Sequence, residues 1–128
     1  MHRSKSSRAC ATVAAAVFAA ALVEPRALAH HAWTEVDTAR TLMLEGTVRS
    51  LKWENPHASL VLETVDGGTR TEWTVMMSGI ARMEAKGLRR EDVAMGRTLT
   101  IVASPARDEA RVVRANRIRS DGQDHVLY

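Results

Sequence analysis

Thr41-Leu42-Met43-Leu44-Glu45-Gly46-Thr47-Val48-Arg49-Ser50-Leu51-Lys52-Trp53 is the run that decides the fold. Leu42, Leu44, Gly46 and Val48 share one face, and Met43, Glu45, Thr47 and Arg49 the other, which is the period of two of a half-buried strand. Leu51 and Trp53 then continue the apolar series one residue out of step. That slip predicts a bulge near Arg49-Ser50, and Gly46 permits a bend. One long bent strand is what a closed barrel needs where a single strand serves both of its halves.

Downstream, Trp53-Glu54-Asn55-Pro56-His57 forms a stiff corner, because Pro56 lacks an amide hydrogen and biases Asn55 toward an extended conformation. Ala58, Leu60 and Leu62 then alternate with His57, Ser59, Val61 and Glu63, so His57 falls on the face opposite the apolar series. Asp66-Gly67-Gly68 is a turn signal, and Thr69 to Met77 returns with Trp73, Val75 and Met77 in phase. Ser78 to Lys86 reads as the helix, with Ser78 as cap, Ile80 and Met83 on one face, and Gly87-Leu88 as a Schellman ending. Arg89 to Gly96 is a polar connection into which Val93 or Met95 tucks. Arg97 to Ala103 is a fourth strand with Leu99, Ile101 and Ala103 aligned, followed by a loop over Ser104 to Glu109. Ala110 to Arg119 is a fifth strand whose phase stays open between Val112 with Ile118 and Val113 with Ala115. Asp121-Gly122 predicts a hairpin to a short last strand over Gln123 to Tyr128. Arg111, Arg114, Arg117 and Arg119 read as a solvated face.

Three strands, a helix and two or three further strands predict a mainly β fold, a small five- to six-stranded OB-like Greek-key barrel with one short helix between strands three and four. In that fold the loops after strands one and four flank the binding face, which puts Trp53 to His57 and Ser104 to Glu109 there.

Upstream, residues 1–29 have the three parts of a cleavable secretory signal peptide. Arg3, Lys5 and Arg8 begin it, Ala9 to Val23 is apolar apart from Thr12, and Ala27-Leu28-Ala29 places the cut before His30. The apolar run is shorter than the roughly 20 residues of a membrane span. The expectation is therefore a periplasmic or secreted bacterial protein, a single domain over residues 30–128 with no stable membrane insertion after cleavage.

Of 18 basic and 15 acidic residues, four and one respectively lie before His30, so the remainder holds 14 of each and is neutral. Neutrality and export together argue against nucleic acid as a partner. The one cysteine, Cys10, lies within the signal segment, so no disulfide is expected to staple the domain.

The paired His30-His31 after Ala29, the Trp53-x-Asn55-Pro56-His57 motif, the helix and the final Asp-Gly hairpin resemble a family of small exported bacterial proteins known as domain of unknown function 6152. The resemblance implies export and a small β-rich domain, and it brings no activity. Ala32-Trp33 stands where the family usually has Ser-Phe, a change that leaves the histidines intact.

The histidines carry the candidate chemistry. If His30 is the mature N-terminus, its α-amine has an intrinsic pKa of roughly 8, which a metal can displace near neutral pH. Amine and ring Nδ1 of His30, joined by His57 or by His31 as alternate ligand, give three nitrogens in a plane. That set suits copper as Cu(II) first and zinc second. Glu54 or Asp37 can add a carboxylate, and Met43, Met76 and Met77 read as packing or surface residues more than as Cu(I) ligands. Trp53, Glu54, Asn55 and Pro56 support the site, and Trp33 pins the chain end.

Two other readings compete. One is an interaction module that binds a peptide, a glycan or an exported partner protein on the barrel face beside Trp53. The other makes the histidines structural. No catalytic residue is assigned: there is no nucleophile elbow, and Ser50, Ser59, Ser78, Ser104 and Ser120 have no evident base. The pattern favours a binding protein over an enzyme.

Overall fold

The computed structural model describes residues 35–128, and the expectations for the signal segment, His30, His31 and Trp33 lie outside the described residues. Within it the strands are β1 (Leu42–Lys52), β2 (Ser59–Asp66), β3 (Thr69–Met76), β4 (Thr98–Pro105), β5 (Val112–Ser120) and β6 (Gln123–Val126), with helix α1 (Ile80–Ala85) and a 3-10 turn (Arg90–Val93) between β3 and β4. The sheet order is β3-β2-β1-β4-β5-β6, and a parallel pairing of Thr74–Met76 with Val112–Arg114 closes the first five strands into a barrel. This is the OB-like Greek-key topology, with β6 added along the far half of β5.

β1 serves both halves as its sequence predicts. Leu42 to Thr47 pair with β4, Gly46 to Lys52 pair with β2, and the register shifts between Val48 and Ser50 so that Arg49 is the bulged residue. Bulging keeps both Val48 and Leu51 against the core, although one strand face would otherwise have to change sides. Leu44, Val48, Leu60, Leu62, Val75, Leu99, Ile101, Val113 and Ile118 fill the interior, and Met83, Val93 and Leu127 join them.

The fifth strand resolves by a second bulge. Ala115 pairs with Ala103 and Arg117 with Val102, leaving Asn116 as the extra residue. Val113, Ala115 and Ile118 therefore all point inward, which no single alternation of period two allows. β4 also runs two residues further than its pattern suggests, through Ser104 and Pro105, which are buried, so the following loop begins at Ala106.

Two other expectations change, and the alternative between Val93 and Met95 resolves. Ser78 is buried and does not cap α1; the N-cap is Gly79, with no side-chain cap of its own. Val93 is the residue that tucks in, while Met95 is 74% exposed. Arg111, Arg117 and Arg119 are exposed as predicted, but Arg114 is half-buried. The Schellman ending is present: Gly87, at φ +78°, donates to Glu84 O and Leu88 donates to Met83 O, with both Met83 and Leu88 buried. β6 is clasped to this end of the helix by His125, whose Nδ1–H donates to Lys86 O at 3.2 Å from a buried position.

On the outer face of β1–β3, Glu63 accepts from both Arg49 and Arg70. The hydrogen bond from Arg49 and the charges of both guanidiniums hold its carboxyl below the usual carboxylate range. A lowered folded pKa means that this contribution is present above the unfolded value and is lost as pH falls through the folded one. Glu63→Gln is accordingly expected to lower the melting temperature at pH 7, by an amount that shrinks as the pH falls and vanishes below the folded value. A deficit that persists unchanged in acid would assign the loss to packing instead.

Candidate functional site at the proline corner

Residues 53–58 join β1 to β2 and turn through a cis Asn55–Pro56 peptide bond. Trp53 is half-buried and packs against the core, Glu54, Asn55 and Pro56 are exposed, and His57 is half-buried between exposed Pro56 and fully buried Ala58. The corner is tied to α1 and the segment before it by three hydrogen bonds: Ile80 N donates to Asn55 Oδ1 (3.4 Å), Ala58 N to Ser78 O (3.2 Å) and Met77 N to Ala58 O (2.8 Å). Asn55 thus caps from across the chain the first turn that Ser78 leaves uncapped. Gly79 lies close beneath it, where a Cβ would stand 3.2 Å from Pro56 O. Asn55→Ala should cost about 1 kcal/mol and raise amide exchange selectively at Ile80 and Ala81. Unchanged exchange at those amides would mean that the cap contributes nothing.

Alternation along β2 sends His57 to the outer face together with Ser59. From Ser59 a row of cross-strand neighbours runs through Met76 on β3 and Arg114 on β5 to Ser104 on β4. His57 is one pleat repeat, roughly 7 Å, from the β2 end of that row.

The other flanking loop, residues 106–111, receives the chain that leads into β1. Val36 bridges Ala106, Asp37 N donates to Pro105 O (2.8 Å) and Arg107 N to Glu35 O (2.9 Å). Asp37 accepts from Ala39 N at 3.1 Å in its own turn, through Oδ1. Glu54 remains exposed at the corner. Met76 and Met77 are buried, in keeping with a packing role, and Met43 is 74% exposed on the outer face. Among the described residues no three His, Cys, Asp or Glu side chains come together to hold a metal, and no helix is long and apolar enough to cross a membrane.

Sequence reasoning missed a polar cluster on the outer face of β5. Asn116 Nδ2 donates to Ser104 Oγ (2.8 Å), Arg114 Nη2 donates to Asn116 Oδ1 (3.3 Å), and the Tyr128 ring lies 4.5 Å from the Arg114 guanidinium and 5.1 Å from that of Arg82. The bulge at Asn116 hides this cluster in the sequence, since strict alternation would place Arg114 among the solvated arginines.

Fold and corner together define a small OB-like β-barrel with a proline-braced histidine on its rim. The chain belongs to the family of unknown function DUF6152, whose family model matches residues 10–114, from the N-terminal segment into β5. No curated protein matches the chain.

Proposed function

We propose that the protein is an exported metal-binding barrel that prefers copper and holds it between His57 and the amine and ring of His30, with His31 as the alternate ligand. The rigid presentation of His57 carries this reading: a ligand fixed by Pro56, by the Asn55 cap and by the two backbone bonds of Ala58 loses little freedom when it binds a metal. Amine and imidazole donors in this number favour Cu(II) over Zn(II), since the tetragonal preference of Cu(II) tolerates a planar nitrogen set.

The deciding experiment titrates Cu(II) by calorimetry and electron paramagnetic resonance into protein beginning at His30, into the same protein with one added N-terminal alanine, and into His57→Ala. Tight binding with a nitrogen-rich tetragonal spectrum, weakened by about tenfold or more in both variants, is expected. Binding that ignores both changes would sink the reading.

A second reading has its own observation. Met43 and Val65, at 74% and 61% exposure, stand on the outer face of β1 and β2. Exposed apolar side chains on that face support an interaction module for an exported partner protein. On that reading Met43→Lys abolishes partner capture while copper binding is unaffected.

A further inference from the structure

The geometry points to an oxyanion-binding site on the outer face of β5, built on the side-on fork of Arg114, a site independent of the copper reading. Arg114 Nε is buried and has no hydrogen-bond partner among the described residues. A buried guanidinium N–H without an acceptor is costly, so its retention calls for an explanation. The rest of the side chain is held in place. Nη2 is bonded to Asn116 Oδ1, the guanidinium lies over the Tyr128 ring, and Asn116 is fixed in turn by Ser104. The Nε and Nη2 edge of a guanidinium is the fork that grips carboxylate or phosphate through two parallel hydrogen bonds, and here Nε–H is the arm left over.

The neighbouring groups have the same bias toward donors. Ser104 is 2% exposed and its Oγ accepts from Asn116, so the hydroxyl proton is left to donate. Asn116 has its carbonyl oxygen occupied by Arg114. Arg82, on α1, brings a second guanidinium to the same tyrosine ring, 5.1 Å from its centroid. A cluster of donors, with Asn116 Oδ1 and Ser104 Oγ already accepting and two guanidiniums beside it, selects an acceptor-only anionic ligand. By contrast Arg119 and Arg97, elsewhere on the barrel, are matched to Asp124 and Asp121. Cross-strand pairing explains why Arg114 is special: Met76 on one side and Ser104 on the other are both buried, so its guanidinium is set in a wall and not on open surface.

The shared ligand chemistry is a carboxylate or phosphate oxyanion. The test follows the Arg Nε–H signals by nuclear magnetic resonance in protein recovered after expression of the whole 128-residue sequence. Inorganic phosphate and succinate are titrated separately at constant ionic strength set with chloride. A saturable shift of the Arg114 Nε–H signal with either anion supports the site, and the anion that saturates it at lower concentration tells which source of oxyanion the cluster takes. Binding should be lost in Arg114→Lys, which keeps charge but not the fork, and weakened about tenfold in Arg82→Gln. Arg117→Gln, an exposed arginine on the same strand, should leave it unchanged. If Arg114→Lys fails to fold, Ser104→Ala and Arg82→Gln decide, since each removes a donor without touching the fork. No saturable shift with either anion, an equal shift with added chloride, or equal loss in Arg117→Gln would overturn the proposal.

Discussion

Gly46→Ala is expected to destabilise the barrel by more than about 3 kcal/mol, beyond the usual range for an overpacked position. Gly46 is the residue at which β1 passes from pairing with β4 to pairing with β2, matched to Leu99 on one side and Thr64 on the other. A methyl group there would fall inside contact distance of the Glu63 carbonyl oxygen, 2.8 Å from its carbonyl carbon and 3.1 Å from Leu62 Cγ. Two of these three atoms are backbone, so relief requires moving β2 and not a side-chain rotation. For a domain near 100 residues, each kcal/mol moves the melting temperature by about 4–8 °C, which puts the expected drop above roughly 12 °C. Scanning calorimetry reads it directly. A shift under about 4 °C would mean that the bulge at Arg49 can slide to absorb the methyl, and the bend would then belong to the bulge alone.

Met83→Ala is expected to cost about 2–5 kcal/mol, the range for truncating a large apolar side chain at a site that cannot collapse. Met83 is the one buried residue of α1, fully enclosed in the core cluster, and its carbonyl also accepts from Leu88 in the Schellman ending. A six-residue helix has no stability of its own, so Met83 and Leu88 are what hold it on the barrel. Because Ile80 at the start of α1 is bonded to Asn55, and the segment before it to Ala58, a loosened helix should also loosen His57. The variant is therefore expected to show faster amide exchange across both 55–58 and 80–88, along with the global loss measured by denaturant. A cost below about 1 kcal/mol, or fast exchange confined to α1, would separate the helix from the corner.

The barrel was legible in particular residues because its determinants are local. The period of two through Leu42, Leu44 and Val48, and the slip at Leu51, announce a bulged strand before any partner strand is known. Asp66-Gly67-Gly68, Gly87-Leu88 and Asp121-Gly122 mark turns by backbone chemistry that operates within four residues, and Asp121 does adopt the left-handed region at φ +49°. The corner was equally visible, since proline restricts its own residue and the one before it.

Local residue chemistry thus specifies the succession of strands, the turns between them, and the corner that carries His57. Tertiary structure decided the rest. Only the register of β5 against β4 fixes Asn116 as a bulge, and with it the inward facing of both Ala115 and Ile118. Only the closure of β3 on β5 sets Arg114 between Met76 and Ser104, and only the meeting of corner and helix makes Asn55, in place of Ser78, the group that accepts from Ile80. Each of these depends on residues far apart in the chain competing for the same neighbour. Local alternation is fixed by the pleat of one strand, whereas a bulge or a borrowed cap is fixed by which partner satisfies a backbone group that would otherwise be buried without one.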